Sequence, residues 1–140
     1  MSDFNLYIPI EVRYSDLDPQ WHVNNARLVS FLESARFAYI RRLNLWDGKS
    51  FFELPLIVAD VHVSYLAPIF LGQPVRVGVR VSRIGTKSLT FEYQVEDSST
   101  AQVLAKAETV MVAYDYNKHT SIPVSAEWRA RIGEFEGKTF

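Results

Sequence analysis

Only one stretch of this chain carries a long helical pattern of apolar residues, and nearly everything after it alternates with a period of two. From about Asn24 to Leu43 the apolar positions are Leu28, Val29, Leu32, Ala35, Tyr39, Ile40 and Leu43. That is the i, i+3, i+4 spacing of an amphipathic helix. Phe31, Phe37 and Ala38 widen the apolar arc, so protein is expected around much of its circumference. Asn24 or Asn25 reads as its N-cap, and Arg41 and Arg42 suit the negative end of its dipole.

The segment before the helix, Phe4 to Tyr14, alternates in part and reads as a strand. After it come Ile57 to Tyr65, Val75 to Ser82, Leu89 to Glu96 and Val103 to Tyr114. Gly85-Thr86-Lys87-Ser88 and Asp97-Ser98-Ser99-Thr100 are turn-like, so the last three strands should form an antiparallel meander. Ser125 to Phe135 reads as a short surface helix. One face of a five-stranded sheet needs a cover, and the helix starting near Asn24 is the only large apolar one available. The expected fold is therefore α+β: a curved five-stranded antiparallel sheet wrapped around one long helix, in one domain spanning 1–140. The run Val110, Met111, Val112, Ala113 suggests a last strand covered on both sides, and with it a partner subunit.

Composition removes several functions. With 48% hydrophobic and 22% charged residues the chain is globular. A net charge of -1, without a run of either sign, offers nothing to nucleic acid or an anionic membrane. There is no cysteine, which excludes disulfides, thiolate zinc sites and a cysteine nucleophile. No segment is long enough to span a bilayer and no leader is evident, so the default location is cytoplasmic. A Gly-x-Ser-x-Gly elbow, a Gly-x-Gly-x-x-Gly turn and a Walker loop are all missing, so neither a serine hydrolase nor a nucleotide cofactor is supported. No cofactor is expected.

The chemistry concentrates in Ser15 to Asn25, which reads Ser-Asp-Leu-Asp-Pro-Gln-Trp-His-Val-Asn-Asn. Polar groups at a helix entry can stabilise negative charge on a reacting oxygen, and a carboxylate beside them can activate water. That combination points to hydrolysis of an acyl compound. Asp18 is the leading catalytic candidate; read plainly, it is a turn aspartate before Pro19. His22 is the second, as acid, base or orienting group, against a histidine satisfied by loop backbone. Asn24 and Asn25 are most simply caps, yet a capped helix start still offers backbone N–H groups, those of Val23, Asn24 and Asn25, to a carbonyl. Asp16 reads as structural. Two acids and one histidine in a short loop do not make a convincing metal set, and no metal is expected. Glu33 is the reserve carboxylate. Thr86, Lys87 and Ser88 form a polar hairpin tip whose lysine could meet a phosphate.

The element order, with Arg-Tyr-Ser-Asp-Leu-Asp, His-Val-Asn-Asn and Phe-Leu-Glu-Ser-Ala-Arg between Arg13 and Arg36, resembles the hotdog-fold thioesterases. It is similar to the 4-hydroxybenzoyl-CoA thioesterase-like acyl-CoA thioesterases and to the plant-type acyl-ACP thioesterases. The first resemblance implies that Asp18, the second acid of the loop, is catalytic. The second matches His22 to a family histidine and places Gln20 where that group has asparagine. The resemblance further implies an acyl-CoA or acyl-ACP substrate, a homodimer or homotetramer with the site between subunits, and a Thr86–Ser88 turn near the CoA nucleotide. Two alternatives remain at this point: hydration of an enoyl thioester, whose Asp-x-Asn-Pro-x-His motif is out of register here, and non-catalytic acyl-CoA binding.

Overall fold

The computed structural model describes residues 4–50 and 53–140. Strand β1 (Tyr7–Ile10) leads through a single 3-10 turn (Tyr14–Asp16) to helix α1 (Asn25–Arg42). Strands β2 (Leu56–Tyr65), β3 (Val75–Ile84), β4 (Ser88–Asp97) and β5 (Val103–Asp115) follow, then the two-residue β6 (Thr120–Ser121) and helix α2 (Ala126–Glu136). The sheet order is β1-β3-β4-β5-β2, antiparallel throughout, with β6 paired to the end of β5. The expected meander of β3, β4 and β5 is present. The first strand is shorter than its alternation suggested, because its pairing ends at Ile10, opposite Val75, where β3 begins.

Period-two patterning sets the two faces of the sheet. Val75, Val77, Val79 and Val81 of β3 point inward with Leu89, Phe91, Tyr93 and Val95 of β4, and all are buried. Arg76 and Arg80 point outward and pair with Glu96 and Glu92 across the strands. Helix α1 lies on the inner face against β3 and β1. Its buried face is Leu28, Phe31, Leu32, Ala35, Tyr39 and Ile40, each large aliphatic side chain contributing about 1.5–3 kcal/mol. Tyr39 is fully buried, and its hydroxyl donates to Glu136 Oε2 at 2.6 Å. The same oxygen accepts from Val81 N at 3.1 Å, so one carboxylate ties α2 to both α1 and β3. Burial, then the neighbouring carboxylate, pushes the Tyr39 hydroxyl far above the usual tyrosine range.

The two sheet edges differ. β1 is four residues long and carries Pro9, features that blunt an edge. β2 is ten residues long, with no proline or lysine, and it is the far edge. On its inner face Val58, Val61 and Tyr65 are exposed. The run expected to be covered on both faces, Val110 to Ala113 of the last long strand, is half-buried at Val110 and Val112 within one chain. β5 lies inside the sheet with Met111 and Ala113 buried, and the bare apolar surface belongs to β2. Pairing partners decided this, and periodicity alone cannot reveal them. Among the described residues no helix is long and apolar enough to cross a membrane.

Candidate active site at the start of helix α1

The loop between the 3-10 turn and α1 is a tight hairpin. Leu17 bridges Val23, Asp18 N donates to His22 O at 2.9 Å, and Trp21 N closes a reverse turn on Asp18 O at 2.9 Å. Asp18 is half-buried, and its Oδ1 accepts from Gln20 N at 2.9 Å. The turn-aspartate reading of Asp18 is thus correct for one carboxylate oxygen. Among the described residues the other oxygen, Oδ2, accepts no hydrogen bond.

Asp16 is buried and serves the backbone. Its Oδ2 accepts from Arg13 N at 2.9 Å and its carbonyl from Asn24 N at 2.8 Å. Asn24 caps α1, its Oδ1 accepting from Ala26 N at 2.8 Å. Val23 N donates to Ile69 O at 2.8 Å. These bonds correct the expectation that any of three amides could meet a carbonyl. The Val23 and Asn24 N–H groups are already engaged, and of the three, among the described residues, only the Asn25 N–H has no acceptor. As the first helical residue it has no carbonyl one turn back to bond, and it sits at the positive end of the helix dipole.

The Asn25 carbonyl is held from the other side: the Tyr65 hydroxyl, from the end of β2, donates to it at 3.0 Å. His22 packs edge-on against Phe70, ring centroids 5.1 Å apart, and among the described residues its imidazole makes no hydrogen bond to Asp18. The β2–β3 connection is pinned beside the loop, with Leu66 N and Ala67 N both donating to Leu104 O. A cleft of about 360 Å³ results, lined by Asp18, Gln20, His22 and Asn25 on its polar side and by Leu28, Ile69 and Leu104 on its apolar side. Sequence reasoning missed Tyr65 and the Leu66–Ile69 segment. No local pattern marks them; they arrive through strand pairing.

The Thr86–Ser88 turn is elsewhere. Lys87 O accepts from Ala113 N and Thr86 O from Val124 N, and Arg129 donates to Gly85 O. Ala113 is nine residues along β5 from Leu104, or about 30 Å at the rise of a strand. Within one chain, then, the site unites Asp18, His22 and Asn25 and leaves Thr86, Lys87 and Ser88 at the opposite end of the sheet. Among the described residues no group of three histidine, aspartate or glutamate side chains is placed to hold a metal ion.

Known proteins share this fold. The model of the thioesterase-like superfamily matches residues 12–132. A thioesterase from Thermus thermophilus, solved with coenzyme A and zinc, superposes over 100% of both chains with a TM-score of 0.88 and 35% identity. The long-chain acyl-CoA thioesterase FadM of Escherichia coli is 24% identical over 88% of this chain and 93% of its own. The uncharacterised protein YsmA of Bacillus subtilis is 27% identical over 69% of this chain, and the match spans only 64% of YsmA.

Proposed function

The chain belongs to the thioesterase-like superfamily, with the hotdog architecture and the thioester-hydrolysing character that go with it, and from that premise we propose that it is an acyl-CoA thioesterase working through Asp18 and the Asn25 amide. The observation that carries the reading is their juxtaposition. Asp18, with one carboxylate oxygen unengaged, and Asn25, with its N–H unpaired at the helix start, both among the described residues, border the same cleft. The thioester carbonyl accepts from Asn25 N–H, and the helix dipole adds to the stabilisation of the oxyanion. Asp18 Oδ2 takes a proton from water as the resulting hydroxide adds to the carbonyl carbon. The tetrahedral intermediate then breaks its C–S bond, releasing the acid and a CoA thiolate that takes up a proton. In the covalent variant Asp18 itself attacks and water cleaves the mixed anhydride. Label in Asp18 after a single turnover in ¹⁸O water identifies the covalent route with water attacking the Asp18 carbon of the anhydride, and trapping the acyl-enzyme tests the covalent route when water attacks the acyl carbon. The Gln20 N–H bond fixes the carboxylate in either case, and His22 shapes the cleft wall.

A second copy of the chain completes this picture. The bare β2 edge favours antiparallel pairing with another β2 in a homodimer. A two-fold axis there sets the Leu56 end of one strand beside the Tyr65 end of the other. The partner's polar turn is thereby carried toward this chain's site, where Lys87 and its neighbours meet the CoA phosphates. Thiol release from a panel of acyl-CoAs tests the activity, with acyl-ACP as a parallel substrate. Asp18→Asn should abolish release, and release at the wild-type rate refutes the assignment. Loss of the enoyl absorbance of crotonyl-CoA without free thiol would instead identify a hydratase.

A further inference from the structure

We propose that Tyr14 and Trp21 form the acyl wall of the site, holding the apolar part of the acyl group in a second cleft that Asp18 also borders. The inference rests on the thioesterase reading and adds to it the two residues that select the acyl group. Three observations support it.

Trp21 has φ 64°, in the left-handed region. It follows the reverse turn Asp18-Pro19-Gln20 in a three-residue hairpin loop, a position where glycine is the ordinary occupant. A bulky side chain there carries backbone strain that glycine would relieve. That strain is not repaid by core packing, since Trp21 is 63% exposed.

Its neighbour is equally uncovered. Tyr14 is 72% exposed, and the two rings meet edge to face at 6.2 Å between centroids. Two large rings held together in solvent, one of them on strained backbone, cost stability in this chain and suit a surface that receives an apolar ligand.

A second cleft, of about 270 Å³, opens between them, bounded by Tyr14, Leu17, Asp18, Pro19 and Trp21. Asp18 borders both clefts. A thioester whose carbonyl lies at Asp18 therefore has two spaces within reach. The first has Gln20, His22, Asn25 and Tyr65 at its rim, partners for the amides of pantetheine. The second has two aromatic rings, a leucine and a proline, partners for the acyl carbons. Saturated chains and single aromatic rings share that chemistry and are separated by the assay.

The test is Trp21→Gly, with Tyr14→Ala as a second variant at an exposed position. Thiol release from acetyl-CoA, octanoyl-CoA and benzoyl-CoA gives the selectivity. The octanoyl-over-acetyl or benzoyl-over-acetyl ratio of kcat/KM should fall about tenfold in both variants, while the melting temperature of Trp21→Gly should not fall. Whichever ratio falls names the acyl class. Equal loss on all three substrates, unchanged ratios, or dissociation of an oligomer with the ratios intact would overturn the proposal. Binding separates this from failure of the hydrolytic reading. At least one of octanoyl-CoA and benzoyl-CoA should bind about tenfold more weakly to Asp18→Asn/Trp21→Gly than to Asp18→Asn, whether or not the wild type releases thiol. Equal binding to both overturns the wall.

Discussion

Replacing Asn25 with proline isolates a single N–H group. Asn25 is the first residue of α1, the position where proline is most at home in a helix, because its missing donor has no intrahelical acceptor to lose. Asn24 already has φ -61° and ψ 140°, the extended geometry that a following proline requires. The Tyr65 hydroxyl bonds the Asn25 carbonyl, which proline retains. Folding should therefore be unharmed, and a compatible proline adds about 0.4–1 kcal/mol, a rise of about 2–4 °C in Tm per kcal/mol at this chain length. Catalysis should suffer. Loss of one oxyanion donor costs about 2.7–4 kcal/mol, a fall of about 10²–10³ in kcat. The loss belongs in kcat more than KM, because the bond strengthens as charge develops. Asn25→Ala is the control, keeping the amide and removing only the side chain. The assay is thiol release from acyl-CoA, with thermal melting alongside. A folded Asn25→Pro enzyme within about threefold of wild type would refute the reasoning, as would an Asn25→Ala variant that falls equally far.

Three further outcomes follow from the packing. Glu136→Ala leaves the fully buried Tyr39 hydroxyl without its acceptor and should cost about 1–3 kcal/mol in denaturant melts, with Glu136→Gln costing less. Asp97 accepts from the Ser99 hydroxyl at 2.6 Å and from Gln73 Nε2 at 3.0 Å. Those bonds, the Ser99 hydroxyl first, hold its carboxyl down to about 2 from 3.8. The folded value lies below the unfolded one, so the contribution is present above about pH 4 and is lost as pH falls toward 2. Wild type should lose stability over that window relative to Asp97→Asn, and parallel acid curves would contradict it. Val61→Lys places a charge on the bare inner face of β2. It should shift the protein toward monomer in sedimentation and remove thioesterase activity with it, while an unchanged mass would exclude the β2 interface.

Local signals made much of this protein legible. The helix from Leu28 to Ile40 and the alternating strands β3 and β4 follow from side-chain period, which the backbone geometry of each element imposes residue by residue. The loop's crowd of acids, histidine and asparagines was visible for the same reason: its members are neighbours in sequence and stay neighbours in space. The expected roles of Asp16 and Asn24, one bonded to backbone and one a cap, match the bonds they make. Strand order was not legible. That β2 pairs with β5 and ends as an edge, with Val58 and Val61 uncovered, depends on contacts between distant segments.

The same division runs through the site. Asp18 and the helix start were determined by the sequence, because turn chemistry and capping act over a few residues. The tertiary structure decided which amide is left without an acceptor among the described residues. Ile69, brought in by the β2–β3 connection, takes the Val23 N–H, Asp16 takes that of Asn24, and Asn25 remains. It also decided that Thr86 to Ser88 lie at the far end of the sheet, and that Trp21 stands in strained backbone beside Tyr14. Hydrogen bonds saturate, and a donor engaged by a distant carbonyl is lost to catalysis, so free donors are known only once the whole chain is folded.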